Sequence, residues 1–384
     1  MGDAILYLDH AAATPLDERV FSAMQPYLTD VFYNPSSSYE GGRRARLALE
    51  TARESIAGLL GAKAHDIIFT AGATESINLA LTGVLQNGGH AVVGATEHAA
   101  VRATAAAYPH DFAIADARGI VAPEAVRAVL RDDTVVVSVA LADSEFGTVQ
   151  PVRAIAALIE AERVRRREAG NQTPLYFHTD GSQAASALDL KVSRLGVDML
   201  TLSAAKCYGP KQVGLLWCKP SVKLSPLLHG GGQERGLRSG TENIAGAVGF
   251  ASALEFVQKG RHVENERLSA IKRALIAQLE ARVPDVMIDG HASRCLPGHL
   301  HIHVAGLDAE RVVFRLDMQG VYVATGAACA ANKATRSPAL TAVGLTPEEA
   351  DGSLRISLGH LTTSADMPHI ADVLISAIEA ERVL

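Results

Sequence analysis

The sequence predicts an α/β fold: a mainly parallel sheet covered on both faces by helices, with a smaller α+β unit at the C-terminal end. Two observations carry this. Short apolar runs alternate with helical segments from residue 67 to residue 203, and strand–helix alternation on that scale calls for a parallel sheet with helical crossovers. The chain has 384 residues, room for two units of roughly 150 residues each. Past residue 260 it reads as helix, period-two strand and helix again.

In order, 4–10 form an opening strand, and Thr14-Pro15 precedes an amphipathic helix. Tyr33-Asn34-Pro35-Ser36-Ser37-Ser38 is a polar turn cluster of the kind that interrupts helices. Between Arg43 and Leu60, the residues Leu49, Ala52, Ile56, Leu59 and Leu60 recur at helical spacing with charges between them. Ile67–Thr70 is a strand, and Gly72-Ala73-Thr74-Glu75-Ser76 opens a helix that reaches Leu85. His90–Gly94 is the next strand, followed by Glu97-His98 and an alanine-rich helix. Strands over 112–115 and 134–141, a helix after Ala122 and a long helix over 152–168 lead to a strand ending at Asp180. Strands over 197–203 and 213–217 flank the turn Tyr208-Gly209-Pro210. The glycine-rich loop 229–241 precedes a long helix, and a further helix covers about 261–283. Then 299–304 alternates like a strand, 308–319 is helical and 354–358 is an apolar strand. The last helix starts near Thr363, where Asp366 completes a variant of the capping box, and its core face is Ile370, Leu374, Ala377 and Ile378.

Hydrophobic residues make up 48% and charged residues 20%, the balance of a folded globular chain. With 36 Lys+Arg against 42 Asp+Glu the net charge is −6, so no overall electrostatic case exists for direct nucleic-acid binding. The run Arg163, Arg165, Arg166, Arg167 reads as the solvated end of a helix. No apolar stretch reaches membrane-spanning length, and the first residues lack a basic region followed by an apolar core; a cytoplasmic protein away from the membrane is expected. Of the four cysteines, Cys207, Cys218, Cys295 and Cys329, none forms a CxxC pair, so neither a metal knuckle nor a disulfide framework is indicated.

The chemistry gathers at two strand ends. Asp180 and Lys206 fall at or just past the C-terminal ends of apolar strands, where open α/β sheets place ligands. A carboxylate and an amine there form either a buried ion pair or the two poles of a pyridoxal 5′-phosphate site, in which lysine makes a Schiff base and an acid keeps the ring nitrogen protonated. Gly72-Ala73-Thr74 at a strand-to-helix junction is either a plain helix start or a phosphate cradle with free N–H donors and a hydroxyl; Ser203 and Thr241 could add donors. His98 either caps a helix or stacks on an aromatic cofactor and exchanges protons. Cys329 sits in the small-residue run Gly326-Ala327-Ala328-Cys329-Ala330-Ala331, a flexible surface cysteine or a thiol on a mobile loop, with Lys333 and Arg336 able to favour thiolate. Arg355, on an apolar strand, needs a carboxylate from within the protein or from a substrate.

Read together, the chain resembles the cysteine desulfurases, pyridoxal-phosphate enzymes of fold type I in the class V aminotransferase group. The resemblance spans nearly the whole length. It rests on an ordered set: Asn34-Pro35-Ser36-Ser37, Thr70-Ala71-Gly72-Ala73-Thr74-Glu75, Glu97-His98, Glu145-Phe146-Gly147-Thr148, Asp180 to Gln183, Lys206 with Tyr208-Gly209-Pro210-Lys211, Arg238-Ser239-Gly240-Thr241, Gly326 to Cys329, and Arg355-Ile356-Ser357-Leu358-Gly359. It implies a cofactor-binding large domain over 15–260, and a small domain of 1–14 and 261–384 that carries the cysteine loop. It implies that Lys206 forms the Schiff base and moves the substrate Cα proton, Asp180 pairs with the ring nitrogen, His98 stacks on the ring, and Gln183 reaches the ring oxygen. Ala73, Thr74 and Ser203 would hold the phosphate, with Thr241 reaching it from the neighbouring subunit of a homodimer. Asn34 and Arg355 would clamp the L-cysteine carboxylate. Cys329 would attack the substrate sulfur, leaving alanine and a persulfide for an acceptor protein in iron–sulfur cluster assembly or tRNA thiolation; no metal is implied. Two positions depart from the pattern: Ser144 stands where the family has an asparagine near the ring oxygen, and Ala205 where it has a phosphate-binding histidine. Losing two polar contacts at about 0.5–1.5 kcal/mol each would weaken cofactor retention about tenfold or more.

Overall fold

The computed structural model of the protein describes residues 5–326 and 336–382. Its largest sheet has seven strands in the order Ile67–Thr70, Gly214–Cys218, Met199–Ser203, Tyr176–Asp180, Thr134–Ser138, His90–Gly94, His110–Ala113. Four neighbouring pairs are parallel, and Gly214–Cys218 runs antiparallel to both of its neighbours. The central strands are buried along their length, as strands covered on both faces must be. The histidines inside the sheet, His90 and His178, are hydrogen-bonded. His178 Nδ1 meets Ser138 Oγ at 2.9 Å and its Nε2 meets Thr201 Oγ1 at 2.9 Å, bridging three adjacent strands.

One hydrophobic core lies between this sheet and the helices Glu40–Leu60, Val152–Glu168 and the first part of Ile244–Arg282, through Leu49, Ile56, Ile155, Phe177, Leu202 and Phe250. A separate core packs the opposite side of the sheet, with Ile77, Leu81, Val93, Val136 and Leu216. A further core surrounds a four-stranded antiparallel sheet, Ala324–Thr325, Ser353–Ser357, His299–His303 and Met287–Asp289. Into it come Leu268, Ile271, Leu275 and Leu279 from the far half of Ile244–Arg282, and Leu374 and Ile378 from Met367–Arg382.

Three expectations are corrected. The two helices expected on either side of residue 260 are one continuous helix, Ile244–Arg282, whose buried residues switch from one core to the other along its length. The arginine run is not all solvated: Arg166 is 1% exposed, and its guanidinium donates to the Thr134 and Arg131 carbonyls at 2.8 and 2.7 Å and to Glu162 at 2.9 Å. The third strand of the alternation is His110–Ala113 rather than 112–115. Thr363 and Asp366 do pair before the last helix, Asp366 accepting the Thr363 N–H at 2.8 Å and its hydroxyl at 2.7 Å.

Candidate active site

The strand Tyr176–Asp180 ends on Asp180, whose carboxylate accepts the Ser182 N–H at 2.9 Å. The neighbouring strand Met199–Ser203 passes into a short 3-10 turn, Ala204–Lys206, and delivers Lys206 beyond the same edge. That turn is fixed from outside. Thr14 donates its N–H and hydroxyl to the Ala205 carbonyl at 2.9 and 3.1 Å, and Tyr208, at φ 64°, donates its N–H to Thr14 Oγ1 at 2.7 Å. The Lys206 ammonium donates to the carbonyls of Ala11 and Ala12 at 2.7 and 2.6 Å, and Gln183 Nε2 donates to the Ala11 carbonyl at 3.0 Å.

His98 starts the helix Ala99–Ala105, its Nδ1 accepting the Ala100 N–H at 3.1 Å. Burial lowers its pKa, Asp180 opposes that shift, and Lys206 and Arg355 add to it. His98, Asp180, Lys206 and Arg355 therefore share one electrostatic neighbourhood. Arg355 is buried and bonded to Asp9 at 3.0 Å and to the Ser144 carbonyl at 3.3 Å, with Glu145 at 3.7 Å; its Nε is buried without a hydrogen-bond partner among the described residues. A cavity of about 310 Å³ opens between His98, Glu97, Arg102, Ser144 and Glu145, reaching Gly326 and Arg336 on either side of residues 327–335.

The start of the helix Ala73–Leu85 supplies a third part. Gly72 precedes it at φ 142°, with no side chain among the described residues capping the first turn, so the first N–H groups are open to an anion. The turn needs glycine on both sides: a Cβ on Gly214 would come within 2.5 Å of the Gly72 backbone. Glu75 ties the turn down, accepting the Ala71 N–H at 3.0 Å and Arg238 Nε at 2.8 Å. Through Arg238 the loop before Thr241 is anchored to this helix start.

The structure thus brings Lys206, Asp180, His98, Gln183, Ser144 and Arg355 into one region. Ser203 is buried at the end of its strand, and Ala205 is half-buried, contributing its carbonyl. Thr74 and Thr241 are exposed, and Ala73 is half-buried at the helix start. Asn34 is exposed and accepts the Ser36 N–H at 2.8 Å, a local turn contact. Cys329 and Lys333 lie outside the described residues, and Arg336 is held by Asp351 at 2.8 Å. Sequence reasoning missed Asp9 and His10. The signal was present, since Asp9 ends an apolar strand as Asp180 does. It read 299–304 as a strand without singling out His299, His301 and His303, three imidazoles on one face of it.

The chain matches the family described as Aminotransferase class-V over residues 6–369. It is 38% identical over 388 residues to a protein named cysteine desulfurase IscS from Dictyoglomus turgidum, covering 99% of this chain and 96% of that one. Among solved structures it resembles a NifS-like protein with a TM-score of 0.90 at 29% identity, covering 98% of this chain and 100% of that one. It also resembles a structure titled SspA in complex with cysteine, with a TM-score of 0.78 at 31% identity, covering 92% of this chain and 98% of that one.

Proposed function

The chain belongs to the class-V aminotransferase family, among its cysteine desulfurases, and from that premise we propose that it uses pyridoxal 5′-phosphate to convert L-cysteine to L-alanine with a persulfide left on Cys329. The observation that carries the reading is the shared neighbourhood of Lys206, Asp180, His98 and Arg355. The residues present suit the cofactor: an amine, a carboxylate on the adjacent strand end, an imidazole, and an uncapped helix start shaped by Gly72 and Gly214. Lys206 would hold the cofactor, Asp180 its ring nitrogen, His98 its face and Gln183 and Ser144 its ring oxygen. Ala73, Thr74 and Ser203 would hold the phosphate, joined by Thr241 from a second copy in a homodimer. Bound there, the cofactor supplies an electron-withdrawing ring that acidifies the substrate Cα and loosens its Cβ–S bond.

The chain does the rest. Arg355, oriented by Asp9, and Asn34 position the substrate carboxylate; the guanidinium fork suits such an anion. Lys206 takes the Cα proton and returns one. His98, held below the usual imidazole range by burial, spends its Nδ1 lone pair on the Ala100 N–H, so the neutral ring carries its proton on Nε2 and can donate it. Cys329 attacks the substrate sulfur as thiolate: the S–S bond forms, the Cβ–S bond breaks, and its electron pair goes to carbon, which takes up a proton. Sulfur is oxidised and carbon reduced within one exchange, so no outside oxidant is needed. The persulfide then passes to an acceptor protein serving iron–sulfur assembly or tRNA thiolation, in the cytoplasm. Among the described residues no helix is long and apolar enough to cross a membrane.

Mass spectrometry after incubation with L-cysteine tests this. One added sulfur atom on Cys329 with release of alanine is expected, and Cys329→Ala should abolish both. Turnover of cysteine by Cys329→Ala at the wild-type rate would instead make the protein a lyase or aminotransferase of the same fold.

A further inference from the structure

Two carboxylates already flank Arg355 among the described residues. Asp9 accepts its Nη2–H at 3.0 Å, and Glu145 Oε2 lies 3.7 Å from Nη1, beyond hydrogen-bond distance. The Ser144 carbonyl accepts from Nη1 at 3.3 Å instead. The cluster is buried: Arg355 is 3% exposed and Glu145 8% exposed. Glu145 Oε2 has no hydrogen-bond partner among the described residues. The residue forms part of the wall of the cavity of about 310 Å³ that His98 and Ser144 also border.

Glu145 is faced by Arg355 from the strand Ser353–Ser357, by Asp9 from the N-terminal stretch and by Asp143 from its own loop, while Glu97, His98, Arg102 and Arg336 line the same cavity. Burial pushes the Glu145 pKa up to about 7; Arg355 opposes that shift, and Asp143 and Asp9 add to it. Near neutral pH this carboxyl is therefore the one poised to change its charge. Asp9 would give up a charge-assisted bond to Arg355 by taking a proton. Asp143 accepts the N–H groups of Glu145, Phe146 and Thr148 at 3.0, 2.7 and 2.9 Å, bonds that favour its anion. Glu97, pushed up to about 8, already holds its proton.

A substrate carboxylate that docks on Arg355 becomes the third carboxylate beside one cation. Like charges gathered out of water cannot all stay ionised. We propose that Glu145 takes a proton from solvent whenever a substrate carboxylate docks on Arg355 and gives it back when the product leaves. Glu145 is a positioning residue in this scheme: once neutral it stops competing for the guanidinium, and the Asp9 bond stays in place. The inference rests on Arg355 being the carboxylate clamp of the proposed desulfurase.

Above the Glu145 pKa near 7, the free protein has lost the proton that the complex requires, so wild-type affinity for a carboxylate falls as pH rises. Glu145→Gln is neutral at every pH and is spared that fall. L-Alanine serves as the probe, titrated into the full chain loaded with pyridoxal phosphate and followed by cofactor absorbance. The ratio of its dissociation constants, wild type over Glu145→Gln, is expected to grow about tenfold from pH 6 to pH 8 and about tenfold more by pH 9. The ligand's own amine titrates alike in both proteins and cancels. Titration calorimetry in buffers of different ionisation enthalpy should count about one more proton taken up per site by wild type than by Glu145→Gln at pH 8, and almost no difference at pH 6. Infrared difference spectra of the wild-type protein need no variant: L-alanine carrying a heavy isotope at its carboxyl is expected to bring up a protonated-carboxyl band of the protein at pH 8. A ratio that does not move with pH, equal proton counts, or no new band overturns the proposal. So does wild-type protein that fails to bind L-alanine, since Arg355 would then be no clamp. The desulfurase reading fails by a different result, the absence of alanine release from L-cysteine.

Discussion

Glu97 illustrates how far burial alone can set a side chain's chemistry. Its Oε1 accepts the Ala140 N–H at 2.5 Å, while Oε2 is buried without a hydrogen-bond partner among the described residues. Burial pushes its pKa up to about 8, and nearby Asp180 and Asp143 add to the shift. Between its ordinary value near 4.5 and about 8, the unfolded chain releases a proton that the fold retains. The unfolded state then binds fewer protons, so Glu97 makes stability fall as pH rises through that window. Glu97→Gln mimics the protonated form and removes the dependence. Its stability relative to wild type should climb between pH 5 and 8 by about 1 kcal/mol per pH unit and level off above. Denaturant unfolding at several pH values checks this, and a difference that ignores pH would mean Glu97 is already ionised in the fold. A second residue-scale prediction concerns the two departures from the family pattern. Ser144→Asn combined with Ala205→His should tighten pyridoxal phosphate binding about tenfold or more, read by equilibrium titration of cofactor absorbance. Unchanged affinity would show that neither side chain reaches the cofactor.

At the scale of elements, the strand–helix alternation was legible because each strand is an apolar run with turn residues at its ends, and the sheet follows from those runs. The antiparallel course of Gly214–Cys218 was not, because direction is set by the tight Tyr208–Gln212 turn, where Tyr208 and Gln212 both take positive φ. The burial of Arg166 was legible in principle. It follows Ile155 and Ile159 on the same helical face, but a run of four arginines hides that phase. The Asp180 and Lys206 strand ends could be read from sequence, whereas the cradle's anchoring could not, since Glu75 and Arg238 meet only through the folded loop. That loop has a second anchor. Glu234, at φ 46° beside Arg235 at φ 61°, accepts Arg53 at 2.7 and 2.8 Å and the Phe69 N–H at 2.9 Å, all buried. Arg53→Met would leave a buried carboxylate without its cation, a loss of about 3–5 kcal/mol. Adding Glu234→Gln should recover part of it, because the stranded charge is removed. Thermal and denaturant unfolding of the single and double variants reads this directly; equal losses in both would place the cost in packing rather than charge.

Over the whole molecule, one short stretch near the N-terminus ties the two sheets and the candidate site together. Leu6 and Tyr7 pair with Val321 and Tyr322, and Leu8 enters the core of the four-stranded sheet. Asp9 holds Arg355, and Ala11 and Ala12 hold Lys206. Thr14 holds Ala205 and Tyr208. Arg355 belongs to the small sheet and Lys206 to the large one, so the substrate-carboxylate clamp and the amine keep their relative position through Asp9 to Ala12. Asp9→Ala should therefore act twice. Removing the partner of a buried guanidinium costs about 3 kcal/mol or more, with Glu145 at 3.7 Å offsetting part. An Arg355 no longer oriented should also raise KM for L-cysteine about tenfold while kcat changes less, because the carboxylate is bound alike in the ground and transition states. Asp9→Asn keeps a hydrogen-bond acceptor and should fall between the two. Steady-state kinetics alongside melting curves separates the effects. A stability loss with unchanged KM would mean that Arg355 serves only the join between the sheets and that the substrate carboxylate is held elsewhere.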